Sequence, residues 1–221
     1  MAAGLVIFDC DGVLVDSEPI SLDVLTGYLS EQGCALDHAT GYRALLGRSM
    51  ASVADWLRRE RGFGLTQEMT EEMRDRLFAR FAAELRPIPG VAAAVGALGR
   101  PACVASSSQP ERIRRSLGLT GLLPLFEPHL FSATMVANGK PAPDLFLHAA
   151  SEMGACPGDC TVIEDSPAGL EAARRAGMRA VAFTGGSHAG PAALRETVAK
   201  CAPDAIIDRM EDLPAILRQL G

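Results

Sequence analysis

Short apolar runs bounded by polar residues recur along this chain. Leu5-Val6-Ile7-Phe8 stops at Asp9, and Ala102-Cys103-Val104-Ala105 stops at Ser106-Ser107-Ser108. Thr161-Val162-Ile163 ends in Glu164-Asp165, Ala180-Val181-Ala182-Phe183 in Thr184-Gly185-Gly186, and Ala205-Ile206-Ile207 in Asp208. Continuous apolar runs of this length predict strands buried on both faces, as in a parallel sheet. Helical stripes lie between them. Val91, Ala94, Val95 and Leu98 make one; Ile113 and Leu117 make another, with Ser108 as N-cap and Pro110 in the first turn. Leu145, Ala149 and Met153 make a third, and a fourth helix opens at Ser166-Pro167 and closes at Gly177. The alternation predicts an α/β fold with a doubly wound parallel sheet.

Residues 17–84 break the alternation. Leu22, Leu25 and Leu29, then Val53 and Leu57, then Met69, Met73, Leu77 and Phe81 fall at helical spacing, punctuated by Gly33, Gly47, Gly62 and Gly64. Pro87, Pro89 and Gly90 mark the return to the sheet. The pattern predicts a core domain of residues 1–16 and 85–221, with a small helical domain of residues 17–84 inserted after the first strand.

Composition narrows the function. The 221 residues carry 21 basic and 27 acidic side chains, a net charge of −6, which does not suit a nucleic-acid binder. No apolar run reaches the length of a membrane span, and the first apolar run has no basic flank, so neither an anchor nor a signal peptide is expected. Six cysteines without a CxxC pair read as free thiols of a reducing cytoplasm. Only Lys140 and Lys200 among the 21 basic residues are lysines, so the place of each is informative.

In an open parallel sheet, ligands bind beyond the carboxyl ends of the strands. Asp9 and Asp11, at i and i+2 of an extended segment, point the same way, and two close carboxylates call for a cation such as Mg²⁺. Ser106 and Ser107 precede a helix N-terminus, a ready anion site of hydroxyls and free N–H groups. Lys140, held between Gly139 and Pro141, offers a fixed ammonium to a phosphate oxygen. Glu164 and Asp165 supply carboxylates to the same end of the sheet. Thr184-Gly185-Gly186-Ser187-His188 lacks nucleophile-elbow spacing and reads as a loop. Pro157 and Gly158 part Cys156 from Cys160, which argues against a metal site there. Trp56 and the Met69/Met73 stripe read as packing, and His38, His129 and His148 have no evident partners.

These segments together resemble the haloacid dehalogenase superfamily along essentially the whole chain. Asp9-Cys10-Asp11-Gly12-Val13-Leu14-Val15-Asp16-Ser17 is similar to its first motif and Val104-Ala105-Ser106 to its second. Lys140-Pro141-Ala142-Pro143-Asp144 resembles the third, and Glu164-Asp165-Ser166-Pro167-Ala168-Gly169 the fourth. The resemblance implies a Rossmann-like core with a small helical cap. It implies Asp9 as a nucleophile forming an aspartyl-phosphate, and Asp11 as general acid and base. It implies Mg²⁺ held by Asp9, the Asp11 carbonyl and Asp165, with Glu164 nearby, and phosphoryl oxygens held by Ser106, the Ser107 N–H and Lys140.

Asp11 argues against dehalogenation, which in this family proceeds without the second aspartate. Among the β-phosphoglucomutase-like branch, the mutases' cap histidine falls at Ser21 and their cap arginine near Met50, which favours a phosphatase. Leu130-Phe131-Ser132, Lys140-Pro141 and Phe146-Leu147-His148-Ala149-Ala150 are similar to bacterial 6-phosphogluconate phosphatases. The cap loop with Gly47 and Arg48 is expected to face the substrate, with Arg48 on a carboxylate or second phosphate. The expectation is therefore a Mg²⁺-dependent phosphatase of a small sugar or sugar-acid phosphate. It would be cytoplasmic, a monomer or weak homo-oligomer, with neither nucleic-acid nor membrane partners. The alternatives are a phosphosugar mutase and, more remotely, a non-catalytic regulator on the same fold.

Overall fold

The computed structural model describes residues 4–45, 49–190 and 193–221. It divides into two compact units, one of residues up to Asp16 with Arg86–Gly221, the other of Ser17–Leu85.

The first unit is built on a parallel sheet of β1 (Val6–Phe8), β2 (Ala102–Ser106), β3 (Leu130–Ser132), β4 (Thr161–Glu164), β5 (Arg179–Phe183) and β6 (Ala205–Ile207). The strand order is β3-β2-β1-β4-β5-β6. The direction of winding therefore reverses at β1, where the next strand on one side is β2 and on the other β4. That reversal opens a crevice at the carboxyl ends of the central strands. Register fixes what lies there: Phe8 pairs with Val104 and Ile163, so Asp9 follows directly, flanked by the ends of β2 and β4. The Asp9 N–H extends the ladder to the Ile163 carbonyl at 3.0 Å.

Alternation of side chains across the strands sorts the core. Leu5, Ile7, Cys103, Ala105, Phe131, Val162, Ala180 and Ala182 share one cluster with Leu145, Phe146 and Ala149 of α7 and with Leu170 and Ala173 of α8. In chain order the helices of this unit, numbered after α1–α4 of the other, are α5 (Val91–Gly96), α6 (Pro110–Leu119), α7 (Asp144–Glu152), α8 (Pro167–Arg175), α9 (Leu194–Ala199) and α10 (Leu213–Leu220). Phe8, one residue on from Ile7, meets Phe126 edge-on at 5.7 Å. Strand β3 is a strand that the sequence pattern did not predict. It lies at a sheet edge, and only Leu130 and Phe131 of its three residues are apolar, too few to stand out as an apolar run.

The second unit contains α1 (Glu18–Glu31), α2 (His38–Ala44), α3 (Met50–Arg61) and α4 (Gln67–Glu84). Asp37, Ser49 and Thr66 cap α2, α3 and α4 by accepting backbone N–H bonds. Leu29, Cys34, Leu36, Leu45, Val53 and Leu57 form its core, with Trp56 packed against them. On α4 the buried residues are Met73, Phe78 and Phe81, so Phe78 takes an inward place that the predicted stripe gave to Leu77.

Candidate active site

The loop after β1 brings Asp9 and Asp11 to the crevice. The Cys10 carbonyl accepts N–H bonds from Leu14 and Val15, folding residues 10–15 into a tight turn. Gly12 sits at φ +78°, and a Cβ there would overlap the Asp165 carboxylate, so glycine is required on both counts. Cys10 is buried between the two aspartates. Burial, then Asp11 and Asp9, push its thiol up, so it is no thiolate nucleophile.

Lys140 reaches the same place from the loop before α7. Its side chain is only 4% exposed. Its Nζ donates to Asp9 Oδ1 at 2.7 Å, to Glu164 Oε1 at 2.7 Å and to the Ala105 carbonyl at 3.1 Å. An ammonium has three protons, and these acceptors use all three. The Phe146 ring lies 4.9 Å from Nζ and walls the site on the α7 side. Burial works against the charge, but Asp9 and Glu164 outweigh it and hold the ammonium firmly protonated.

Glu164 and Asp165 end β4. The Oε2 of Glu164 accepts from the Ser166 N–H at 2.7 Å and from the Ser166 hydroxyl at 2.9 Å, while Oε1 takes Lys140. Both Glu164 oxygens are thus committed within the protein. Ser166 also caps α8, accepting from the Gly169 N–H at 3.0 Å. Gly169 matters for a different reason: a Cβ there would collide with the Glu164 carboxylate. Burial, then Glu164, raise Asp165 well above the ordinary carboxylate range, and Lys140 only partly offsets this. Asp9 is raised likewise by burial, against the pull of Lys140.

These groups test whether a cation fits. Among the described residues no group of three His, Cys, Asp or Glu side chains is arranged to hold a metal by itself. Mg²⁺ does not need one, since it commonly takes one or two carboxylates and fills its remaining positions with water and phosphate oxygens. Asp9, Glu164 and Asp165 bring three carboxylates to one ammonium, an excess of two negative charges in a buried site before His188 is counted. A divalent hard cation matches that excess, and oxygen donors match its chemistry.

Asp11 is held differently. Its Oδ1 accepts from Arg112 Nη2 at 2.7 Å and its Oδ2 from the Ser108 hydroxyl at 2.6 Å. The predicted N-cap of α6 is accordingly corrected: Gln109 stands at that position, and the Ser108 hydroxyl turns to Asp11 instead. Ser106 is buried, and its Oγ accepts from the Ser108 N–H at 3.1 Å; Ser107 is half-buried in the same turn. Gly47 and Arg48 lie outside the described residues.

Two residues to which the sequence assigns no role, Asp16 of the first motif and His188 of the loop after β5, also reach this end of the sheet. His188 is buried with Nε2 3.0 Å from Asp165 Oδ2. Asp16 Oδ1 accepts both the N–H and the hydroxyl of Ser187, at 3.1 and 2.9 Å, and so anchors the loop that carries His188. The available signal was position: this loop follows β5, beside β4, at the sheet end where ligands bind.

A family model described as "haloacid dehalogenase-like hydrolase" matches residues 4–177. The chain belongs to the haloacid dehalogenase-like hydrolases. It is 33% identical over 187 residues to 6-phosphogluconate phosphatase of Escherichia coli K12, covering 84% of this chain and 85% of the relative. It is 34% identical over 185 residues to the fructose-1-phosphate phosphatase YqaB of the same organism, covering 81% and 95%. A crystal structure of a family hydrolase from Deinococcus radiodurans R1, with bound phosphate and sodium, superposes with a TM-score of 0.76 at 30% identity, covering 99% and 96%. This haloacid dehalogenase-like chain is an enzyme of the phosphatase class. Among its described residues no helix is long and apolar enough to cross a membrane.

Proposed function

We propose that this phosphatase hydrolyses a small sugar or sugar-acid phosphate, with Mg²⁺, through an aspartyl-phosphate on Asp9. The observation that carries the reading is the Asp9 carboxylate, buried at the end of the central strand and bonded at Oδ1 to a buried lysine. A carboxylate so placed is oriented and water-poor, which suits a nucleophile. An Asp9 oxygen attacks phosphorus and the ester P–O bond breaks, while Asp11 gives a proton to the departing sugar oxygen. Water then attacks the phosphorus and passes its proton to Asp11. The bond to Asp9 breaks, inorganic phosphate leaves, and both aspartates are restored.

Ser106, the Ser107 N–H and Lys140 hold the phosphoryl oxygens, one of which replaces an acceptor that Lys140 now uses. Asp9, Asp165 and the Asp11 carbonyl hold Mg²⁺. When bound, the cation neutralises charge on the transferring group. Glu164 stays outside this set because Lys140 and Ser166 occupy its oxygens. The helical unit Ser17–Leu85 is read as the source of substrate selectivity. Ser21, on α1, offers no imidazole of the kind the mutases use, so hydrolysis is preferred over isomerisation.

The test is phosphate release from sugar phosphates, sugar-acid phosphates and nucleotides, with Mg²⁺ or with EDTA. Release is expected to require Mg²⁺ and to be fastest on a sugar or sugar-acid phosphate. Asp9→Asn is expected to slow it by at least about a thousandfold. Equal release in EDTA, or by the Asn variant, would overturn the reading.

A further inference from the structure

Arg112 takes no part in the proposed reaction, yet its position is unusual for a cation. It lies in the first turn of α6, where the helix dipole disfavours a cation. Its side chain is nevertheless 24% exposed and turned onto Asp11, which is 12% exposed at the side chain. Asp11 and Arg112 are 101 residues apart in sequence, so this pairing is made by the fold and not by the local chain.

The contacts around Asp11 differ in kind. A guanidinium only donates, so Oδ1 is fixed as an acceptor by Arg112. A hydroxyl donates or accepts, so Oδ2, facing Ser108, is the oxygen that can give up or take a proton without leaving a donor facing a donor. The Ser108 segment is itself braced: its carbonyl accepts from the buried Ser132 hydroxyl at 2.7 Å, and its N–H bonds Ser106 Oγ. Strand β3 thus supports the group that faces the reactive oxygen.

We propose that Arg112 is a positioning residue, which grips Asp11 Oδ1 and, with Ser108, presents Oδ2 as the oxygen for proton transfer. The inference rests on Asp11 as general acid, the role assigned above. The gain is orientational. Of the two carboxylate oxygens, one is tied down, and the other is aimed from a braced turn.

Leaving-group dependence tests this directly. A sugar phosphate expels a strongly basic alkoxide that needs a proton; p-nitrophenyl phosphate expels a stable phenolate that hardly does. The readout is kcat/KM, which covers steps only through transfer to Asp9 and so isolates the acid role. Arg112→Ala is expected to lower kcat/KM on the best sugar phosphate by about tenfold to a hundredfold, and on p-nitrophenyl phosphate by less than about threefold. Arg112→Lys, which keeps a donor, is expected to recover part of the loss. Because each protein is compared with itself on two substrates, partial misfolding cancels. Equal losses on both substrates, or no loss on either, would overturn the positioning role. Asp11→Asn run beside it separates the two ideas. If Asp11→Asn shows the substrate-selective loss and Arg112→Ala does not, only the Arg112 proposal fails. If Asp11→Asn shows no selective loss, the acid assignment fails first and this inference with it.

Discussion

The two units solve the problem of charge in opposite ways. In the helical unit, Arg76 bonds Glu31 at 2.7 Å and Glu72 at 2.8 Å, and lies over Tyr28, whose hydroxyl donates to Glu72 at 2.9 Å. Arg80 pairs with Glu84 on the same helix. These ion pairs are exposed, and water competes for each partner. In the sheet unit, Lys140, Asp9, Glu164 and Asp165 are buried together. There an unpaired charge is expensive, and three carboxylates share one ammonium and the His188 imidazole. Ion pairs that hold helices together are dispensable one at a time. A buried cluster that carries surplus acidic charge fits the cation and phosphoryl group proposed for it.

Breaking the buried cluster should have the largest effect. Lys140→Met leaves Asp9 and Glu164 facing each other without their cation. Its expected cost is about 3–5 kcal/mol of folding stability, read by denaturant melts, together with loss of phosphate release. Gly12→Ala comes next. The forced backbone and the overlap with Asp165 predict a loss of about 1–3 kcal/mol and weaker Mg²⁺ binding by calorimetry.

A change of pH sharpens the contrast without mutation. Asp9 and Asp165 are raised in the folded chain, so on going up in pH the unfolded chain loses those protons first. Stability from these groups is present below the ordinary aspartate range and is lost as pH rises through the raised values. Lys140, held protonated, does not change over that interval. The proposed Mg²⁺ would bind the deprotonated carboxylates, so the rise it brings in thermal midpoint is expected to be larger near about pH 8 than near about pH 5. An equal or reversed dependence would contradict the cluster's assignment. The smallest effect belongs to the exposed network: Glu72→Gln is expected to leave the thermal midpoint unchanged within error and phosphate release intact.

Most of the sheet was legible because a buried parallel strand writes itself as an apolar run ended by polar residues. Five of the strands announced themselves in that way, from Leu5-Val6-Ile7-Phe8 to Ala205-Ile206-Ile207. Strand β3 did not, because only Leu130 and Phe131 of it are apolar, too few to rise above the background of loops. Asp9, Glu164 and Asp165 could be picked out because strand ends are where a parallel sheet exposes its chemistry, and Lys140 because lysine is scarce here. Arg112 and His188 were not legible. Each matters through one partner distant in sequence, Asp11 and Asp165, and no local spacing encodes such a pairing. Ser108 taught the same lesson in reverse: a serine before a helix reads as a cap until the fold supplies a better acceptor for its hydroxyl.

In the proposed reaction Asp9 carries the phosphoryl group. The most direct measurement is acid quenching of the enzyme during turnover of its best substrate, followed by peptide mass analysis. Wild type is expected to yield a phosphorylated peptide containing Asp9, absent from Asp9→Asn; with p-nitrophenyl phosphate, whose leaving group needs no proton, the peptide is expected to be more abundant in Asp11→Asn, where hydrolysis of the intermediate lacks its base. Turnover with no acid-trapped phosphopeptide in either wild type or Asp11→Asn, or with the phosphoryl group on another residue, would contradict it.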